Sequence, residues 1–185
     1  MLADAATRNL HLKFDRPPNE FEAGIDGGIY RQMMRHQAAG VSVVATGVVG
    51  ERVGLTATSV ASLSDAPPKL LVCVGRATRA HNVIGDRGAF SVNFLAAEHQ
   101  ELAQRFAGCL GVDGEARFAE GVWCTLETCA PVLGDAISSL DCRLLERHTF
   151  STHSIFIGRV VAGLSNAEAK PLVHFRGDYW GISRS

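Results

Sequence analysis

Two neighbouring stretches carry side chains that could bind a small polar or anionic molecule. Residues 54–64 read GLTATSVASLS, which places hydroxyl groups among small and aliphatic side chains, and residues 76–79 read RATR. Short hydroxyls donate hydrogen bonds, small side chains leave backbone N–H groups accessible, and Arg and Thr at a helix start can bind a phosphate. The alternative interpretation is a Ser- and Thr-rich edge strand with a solvated turn, which composition alone favours.

Signatures of several other chemistries are missing. The chain has no Gly-x-Gly-x-x-Gly, no Gly-x-x-x-x-Gly-Lys-[Ser/Thr] and no Gly-x-Ser-x-Gly motif, so a bound nucleotide needs another kind of site. His148 and His153 are five residues apart in or beside strands, on opposite faces, and we expect no metal site. Cys73 lies inside an apolar run, and we expect it to be an inert packing residue.

Length and composition favour one folded domain. The chain has 185 residues, 46% of them hydrophobic and 20% charged, with a formal net charge of −1. This composition excludes disorder, and the lack of a basic surplus argues against nucleic-acid binding. The chain has no run of about 18 apolar residues, so no membrane span is predicted. Its first residues lack the continuous apolar stretch of a signal peptide. The five cysteines form no C-x-x-C pair, so we expect reduced thiols in the cytoplasm.

Periodicity and turn residues in the first half of the chain indicate an arm followed by strands. We expect a polar N-terminal arm over residues 1–27 and a single domain over 28–185. A helix is predicted over 29–39, with Met33 and Met34 packed and Gly40 ending the helix. Extended segments are predicted over 41–46 and 53–62, and residues 69–74, apolar on both faces, are predicted to be a central strand.

The second half adds short helices and further strands. Thr78 is placed to cap a helical turn over 80–84, and residues 98–106 are predicted to be helical, with a glycine-rich loop over 107–122. Strands are predicted over 89–95, 138–147, 154–164 and 172–180. In the second of these, Asp141 and Arg143 alternate with apolar residues, as in a half-buried strand. Strands outnumber helices, which favours a small, mainly antiparallel β-barrel with peripheral helices.

Several ordered segments resemble the flavin reductase family of two-component flavin-dependent monooxygenases, which have an FMN-binding split β-barrel of Greek-key type. The resemblance covers nearly the whole ordered chain, and the shared order and spacing of the segments make it specific. The matching segments are 34–36 (MRH), 39–46 (AGVSVVAT), 54–59 (GLTATS), 62–64 (SLS), 67–74 (PPKLLVCV), 90–95 (FSVNFL), 105–108 (RFAG), 153–160 (HSIFIGRV) and 175–179 (FRGDY).

The resemblance also implies a set of binding residues. The residues implied to lie along the flavin are Thr56, Ala57, Thr58, Ser59 and Val60, with Ser62 and Leu63 at the flavin ring. Those implied at the phosphate side are Ala77, Thr78 and Arg79, and Phe106 is the aromatic residue implied to lie near the flavin. Many members carry Gly-Asp-His before the Ile-Phe-x-Gly strand, with the His associated with nicotinamide nucleotide binding. Here His153 is kept and Thr152 replaces the Asp.

The activity that the resemblance implies is an NAD(P)H-dependent flavin reductase. Such an enzyme transfers hydride from NADH or NADPH to FMN or FAD and supplies reduced flavin to a partner monooxygenase. The family also implies a homodimer. The Thr152 replacement motivates an alternative, a flavin-binding carrier or sensor without reductase activity. A relative of the pyridoxamine-phosphate oxidase barrels would need a basic phosphate-binding cluster that the sequence does not reveal.

Overall fold

The computed structural model describes residues 24–182 and divides the chain into two units, 1–34 and 35–185. The described part of the first unit holds helix α1 (Gly27–Met34), which begins where the Asp26 carboxylate accepts hydrogen bonds from the backbone N–H groups of Gly28 and Ile29. The prediction that Met33 and Met34 are packed is wrong, because α1 buries none of its residues and these side chains are 61% and 45% exposed.

The helix also ends earlier than the sequence predicts, at Met34, and Gly40 lies in a strand instead of ending the helix. Most of the predicted N-terminal arm, residues 1–23, lies outside the described residues. The predicted domain of 28–185 therefore stays a prediction. The boundary between the two units falls between Met34 and Arg35, seven residues after the predicted start of that domain.

The second unit is built mainly from antiparallel strands. In chain order they are β1 (Ala39–Gly40), β2 (Ser42–Thr46), β3 (Val53–Ala57), β4 (Val60–Asp65), β5 (Pro68–Gly75), β6 (Ala89–Phe94), β7 (Trp123–Thr125), β8 (Pro131–Leu133), β9 (Ser138–Thr149), β10 (His153–Ser165), β11 (Leu172–Phe175) and β12 (Asp178–Gly181). The main sheet has the order β3-β2-β6-β9-β10-β5-β4, and smaller sheets have the orders β1-β11-β12 and β7-β8. The predicted mainly β, antiparallel fold class is confirmed.

Apolar side chains fill two core clusters around the main sheet. One contains Val43, Phe106 and Phe118, and the other contains Val72, Phe90 and Phe156. All five residues of β2 are buried, because one cluster packs on the face that carries Val43 and Ala45 and the other packs on the face that carries Val44. The two clusters surround the strands that lead to the candidate site, which gives that site a rigid support.

Two helices and two short 3₁₀ turns complete the unit. Helix α2 spans Arg79–Arg87 and α3 spans Gln100–Phe106, while Ala97–His99 and Gly114–Ala119 form the 3₁₀ turns. The predicted cap is confirmed, since the Thr78 hydroxyl accepts a hydrogen bond from the His81 N–H. The predicted loop over 107–122 contains the second 3₁₀ turn.

Three strand predictions need correction. Residues 172–180 form a hairpin, not one strand, because Arg176 and Gly177 adopt left-handed φ values of 55° and 94° between β11 and β12. Asp141 is fully buried, and its carboxylate accepts hydrogen bonds from the Thr128 N–H (2.8 Å) and hydroxyl. Strand β5 pairs on both sides, but only alternate residues are buried, so its second face is left partly uncovered by residues 24–182.

Candidate functional site

A cavity of about 490 Å³ lies where β3, β5, β10 and the ends of two helices meet. Its lining includes seven of the residues that the sequence singled out, drawn from segments far apart in the chain. These are Thr56, Ala57, Thr58, Ser59, Thr78, Phe106 and His153. The volume falls within the usual range for small-molecule sites, about 300–1,000 Å³.

The wall formed by β3 and α3 is held by two close contacts. The Thr56 hydroxyl donates a hydrogen bond to the Ala103 carbonyl oxygen of α3 at 2.6 Å. Gly54 lets Phe106 approach the strand, since a Cβ at this position would lie 2.8 Å from the Phe106 ring and 2.9 Å from the Val44 carbonyl oxygen. These contacts fix Phe106 and the hydroxyl of Thr56 beside each other in the lining.

Arg117 strengthens the same wall from behind. Its guanidinium donates hydrogen bonds to the carbonyl oxygens of Gly54 (3.2 Å), Phe106 (3.1 Å) and Val112 (2.7 Å). Arg52 binds the Glu115 carboxylate nearby through its Nε atom (2.7 Å) and its backbone N–H (2.8 Å), and this hydrogen bonding lowers the pKa of Glu115. The glycine-rich segment is thereby tied to β3.

The opposite wall is formed by the end of β5 and the start of α2. The Thr78 hydroxyl donates to the Gly75 carbonyl oxygen at 2.8 Å while it caps α2, so it joins the helix to the strand. The Ser59 hydroxyl donates to the Cys73 carbonyl oxygen at 3.0 Å, which ties the turn after β3 to β5. The predicted capping and binding roles of Thr78 thus fall on one side chain, at the first turn of a helix.

His153 lies at the start of β10, directly opposite Gly75 in the strand pairing. A Cβ on Gly75 would lie 3.7 Å from His153 Nε2 and 3.6 Å from Thr78 Cγ2, so the glycine leaves a gap between these two side chains. Thr152 Oγ1 lies 2.9 Å from His153 Nδ1. The hydroxyl can therefore hold the imidazole orientation without supplying a charge.

Five of the predicted residues are not among those that line the cavity. Val60, Ser62 and Leu63 continue along edge strand β4, Ala77 lies in the exposed turn that leads into α2, and Arg79 is the exposed first residue of that helix. Their roles toward a ligand stay predictions. The Arg79 guanidinium reaches toward Gly114, 3.6 Å from where a Cβ of that glycine would stand.

Four lining residues were missed by sequence reasoning, namely Leu55, Cys73, Gly75 and Ala107. Cys73 was expected to be packed, yet its half-buried side chain faces the cavity because alternate residues of β5 point away from the core. Its position next to the polar turn at 75–79 was the available signal. Gly75 could have been found as the glycine at which β5 meets that turn.

The chemistry available in the lining is that of binding and orientation. The side chains supply hydroxyls, one imidazole, one thiol and aliphatic or aromatic carbon, without a carboxylate among the lining residues. In the part of the chain that the structure describes, no group of three or more His, Cys, Asp or Glu side chains could hold a metal ion. No helix within residues 24–182 is long and apolar enough to cross a membrane.

Comparison with known proteins agrees with this geometry. Residues 34–183 match the flavin reductase like domain. The chain is 43% identical over 150 residues to the FMN reductase (NADH) RutF of Agrobacterium fabrum, covering 81% of this chain and 85% of that protein.

Two solved structures share the fold. BorF, the flavin reductase component of a bacterial two-component tryptophan halogenase, superposes with a TM-score of 0.79 at 29% identity, covering 86% of this chain and all of BorF. Streptomyces globisporus NADH:FAD oxidoreductase SgcE6, in complex with NAD and FAD fragments, gives 0.77 at 25% identity, covering 88% and 98%. The chain therefore belongs to the flavin reductase-like domain family.

Proposed function

We propose that this protein is an NAD(P)H-dependent flavin reductase that transfers hydride from a nicotinamide nucleotide to FMN or FAD. The observation that carries the proposal is the cavity itself, which the hydroxyl residues Thr56, Thr58 and Ser59 line together with His153 of β10. Family membership and the FMN reductase (NADH) relative support the reaction and favour NADH as the donor.

The residues present fit a flavin. Phe106, Leu55 and Ala57 offer apolar surface for a planar ring, while Thr56, Thr58 and Ser59 offer hydroxyls for its polar edge and ribityl chain. Thr78 opens α2, where backbone N–H groups and the neighbouring Arg79 suit the phosphate. Because the lining lacks carboxylates, it does not repel an anionic ligand.

The protein's part in the reaction is to hold two rings against each other. A bound flavin supplies the hydride-accepting chemistry. Thr56, fixed by Ala103, and Phe106, fixed over Gly54, would orient the flavin ring, and His153 would bind the nicotinamide nucleotide beside Thr78. No acid–base pair is needed for hydride transfer, which suits a lining whose polar groups bind and position.

A homodimer is part of the proposal. Cross-strand partners share a face, so the pairs Ala61–Leu71, Leu71–Ile157, Cys73–Ile155 and Gly75–His153 form one apolar outer surface that runs into the cavity. On the neighbouring edge strand, Leu63 is 47% exposed. A second copy would cover this surface and close the cavity from outside.

The downstream role proposed is the supply of reduced flavin to a separate oxygenase in the cytoplasm. The name of BorF, the flavin reductase component of a two-component tryptophan halogenase, supports a role beside a separate partner enzyme. The cavity binds through short hydroxyls and backbone groups, which suits reversible retention of flavin. The five cysteines are free, in keeping with a reducing compartment.

Turnover by the purified protein tests the proposal. NADH or NADPH is mixed with excess FMN or FAD, and absorbance at the nicotinamide band is followed. Steady oxidation of NADH is expected, and His153→Ala should raise KM for the nucleotide about tenfold with a smaller effect on kcat. Flavin retention through gel filtration with no turnover of either nucleotide would instead support the carrier alternative and overturn the reductase.

A further inference from the structure

His81 forms a buried polar contact directly behind the part of the cavity lining that Thr78 and His153 form. It lies in the first turn of α2 and is only 7% exposed. Its Nε2 atom lies 2.9 Å from the Ser154 hydroxyl of β10, and its Nδ1 atom lies 3.0 Å from Asn82 Oδ1. Both ring nitrogens are thus within hydrogen-bonding distance of a partner, which fixes the ring in one orientation.

The partner of His81 is the residue that follows His153. Strand alternation places the fully buried Ser154 on the inner face of β10, while His153 lies on the outer face, in the cavity lining. The Ser154 hydroxyl also lies 3.1 Å from Thr149 Oγ1 of β9. A movement of Ser154 therefore moves the backbone that carries His153.

The other end of the contact leads to the opposite wall of the cavity. The His81 backbone N–H donates to Thr78, whose hydroxyl binds Gly75. The His81 ring also packs edge-on against Phe156 of β10, with 5.2 Å between ring centroids. One side chain thus joins the start of α2 to β10, so that Thr78 and His153 keep a fixed separation.

We propose that His81 is a positioning residue for the nicotinamide nucleotide, acting through Ser154 on His153 and setting the gap between His153 and Thr78. This inference rests on the proposed reductase function and on the role of His153 in it. A leucine at this position could fill the same buried space by hydrophobic packing alone. The contact with Ser154 serves more than packing, because a buried serine and a buried histidine each need a hydrogen-bond partner.

Binding and turnover of four proteins test the inference: wild type, His81→Leu, His153→Ala and the double variant. The readouts are KM and kcat for NADH, and the Kd of NAD⁺ for flavin-loaded protein by titration calorimetry. His81→Leu should raise both KM and Kd about three- to tenfold with kcat within twofold, because the hydrogen bond that positions His153 through Ser154 is lost. In the His153→Ala background it should add little, since the effect passes through His153.

Further variants separate positioning from folding. His81→Gln, whose amide can reach Ser154, should recover most of the affinity, and Ser154→Ala should reproduce the loss if His81→Leu does not fold. His36→Gln, at an exposed histidine in the turn before β1, is the matched control and should leave the nucleotide constants unchanged.

The outcomes distinguish the two proposals. An unchanged KM and Kd in His81→Leu and Ser154→Ala, or effects that add fully to those of His153→Ala, would overturn the positioning role while leaving the reductase intact. A wild-type protein that neither oxidises NADH nor binds NAD⁺ would overturn the proposed function, and with it this inference.

Discussion

The Thr56 hydroxyl donates a 2.6 Å hydrogen bond to the Ala103 carbonyl oxygen, which ties the first strand of the cavity to the helix that ends in Phe106. Thr56 is one of the hydroxyl side chains of residues 54–64 that the sequence singled out, and Ala103 is a buried residue 47 positions later. A side chain that was expected to bind ligand therefore also fixes the wall that presents it.

Removal of this hydroxyl should weaken flavin binding. Thr56→Val keeps the shape but removes the side-chain hydrogen bond to the Ala103 carbonyl oxygen, which then accepts only from the Ala107 N–H, so the Kd of FMN should rise about fivefold, corresponding to about 1 kcal/mol. Flavin fluorescence titration measures the change. Thr56→Ser, which keeps the hydroxyl, should bind within twofold of wild type; an equal loss in both variants would show that the methyl group, not the bond, matters.

A side chain at residue 54 should displace Phe106. Gly54→Ala places a Cβ 2.8 Å from the ring and 2.9 Å from the Val44 carbonyl oxygen, and overpacking of this kind costs about 1–3 kcal/mol. We expect a lower midpoint in urea unfolding and weaker flavin binding. Gly40→Ala, where a Cβ meets nothing within 4 Å, is the control and should change neither. Unaltered stability of Gly54→Ala would contradict the tight packing.

Cys73 should be protected from alkylation by bound flavin. Its thiol faces the cavity, whereas Cys109 is exposed outside the lining and should react with iodoacetamide with or without ligand. Burial, with a smaller contribution from Asp141, raises the pKa of Cys142 to about 12, so this thiol should stay unmodified in the native protein at pH 8. Peptide mass spectrometry after timed labelling should show at least about fivefold slower modification of Cys73 in saturating FMN. An equal rate would place flavin elsewhere.

The Arg52–Glu115 contact should stabilise the fold in a pH-dependent way. The hydrogen bond from the Arg52 side chain lowers the pKa of Glu115 below its usual value of 4.5. A carboxyl group whose folded-state pKa is depressed stabilises the protein above its unfolded-state pKa, and loses that effect as the pH falls through the folded-state pKa.

Glu115→Gln should therefore lower Tm by about 1–4 °C at pH 7, a value typical of a partly exposed ion pair in a chain of this size. The difference from wild type should shrink as the pH falls below 4.5. Calorimetry at several pH values measures it, with Glu127→Gln on an exposed residue as control. A Tm difference that is constant across pH would contradict an ionic contribution.

A charge on the outer apolar surface should dissociate the proposed homodimer. Leu63→Lys adds an ammonium group at a position that the single chain leaves 47% exposed, so the monomer fold should tolerate it. Light scattering should show half the wild-type mass, together with weaker flavin binding. Leu110→Lys, at a position of 41% exposure in the glycine-rich segment, should remain dimeric. If Leu63→Lys forms a dimer of unchanged stability, the interface lies on another face of the protein.

Local pattern alone determined much of this protein. Period-two alternation located most strands, Thr78 was identified as a helix cap, and the spacing of the segments from 39–46 to 175–179 identified the family. Seven of the twelve predicted site residues line one cavity. The strand and cap predictions succeeded because periodicity and capping depend on residues within a few positions of each other, whereas the site residues were implied by the family resemblance.

Tertiary structure decided what depends on partners far along the chain. The buried carboxylate of Asp141 is satisfied by Thr128, and Cys73 faces the cavity because no strand among the described residues covers that face of β5. Phe106 reaches β3 only across Gly54, and the residue behind His153 is held by His81. Each of these depends on which strands and helices become neighbours, and one-dimensional periodicity carries no information about pairing between distant segments.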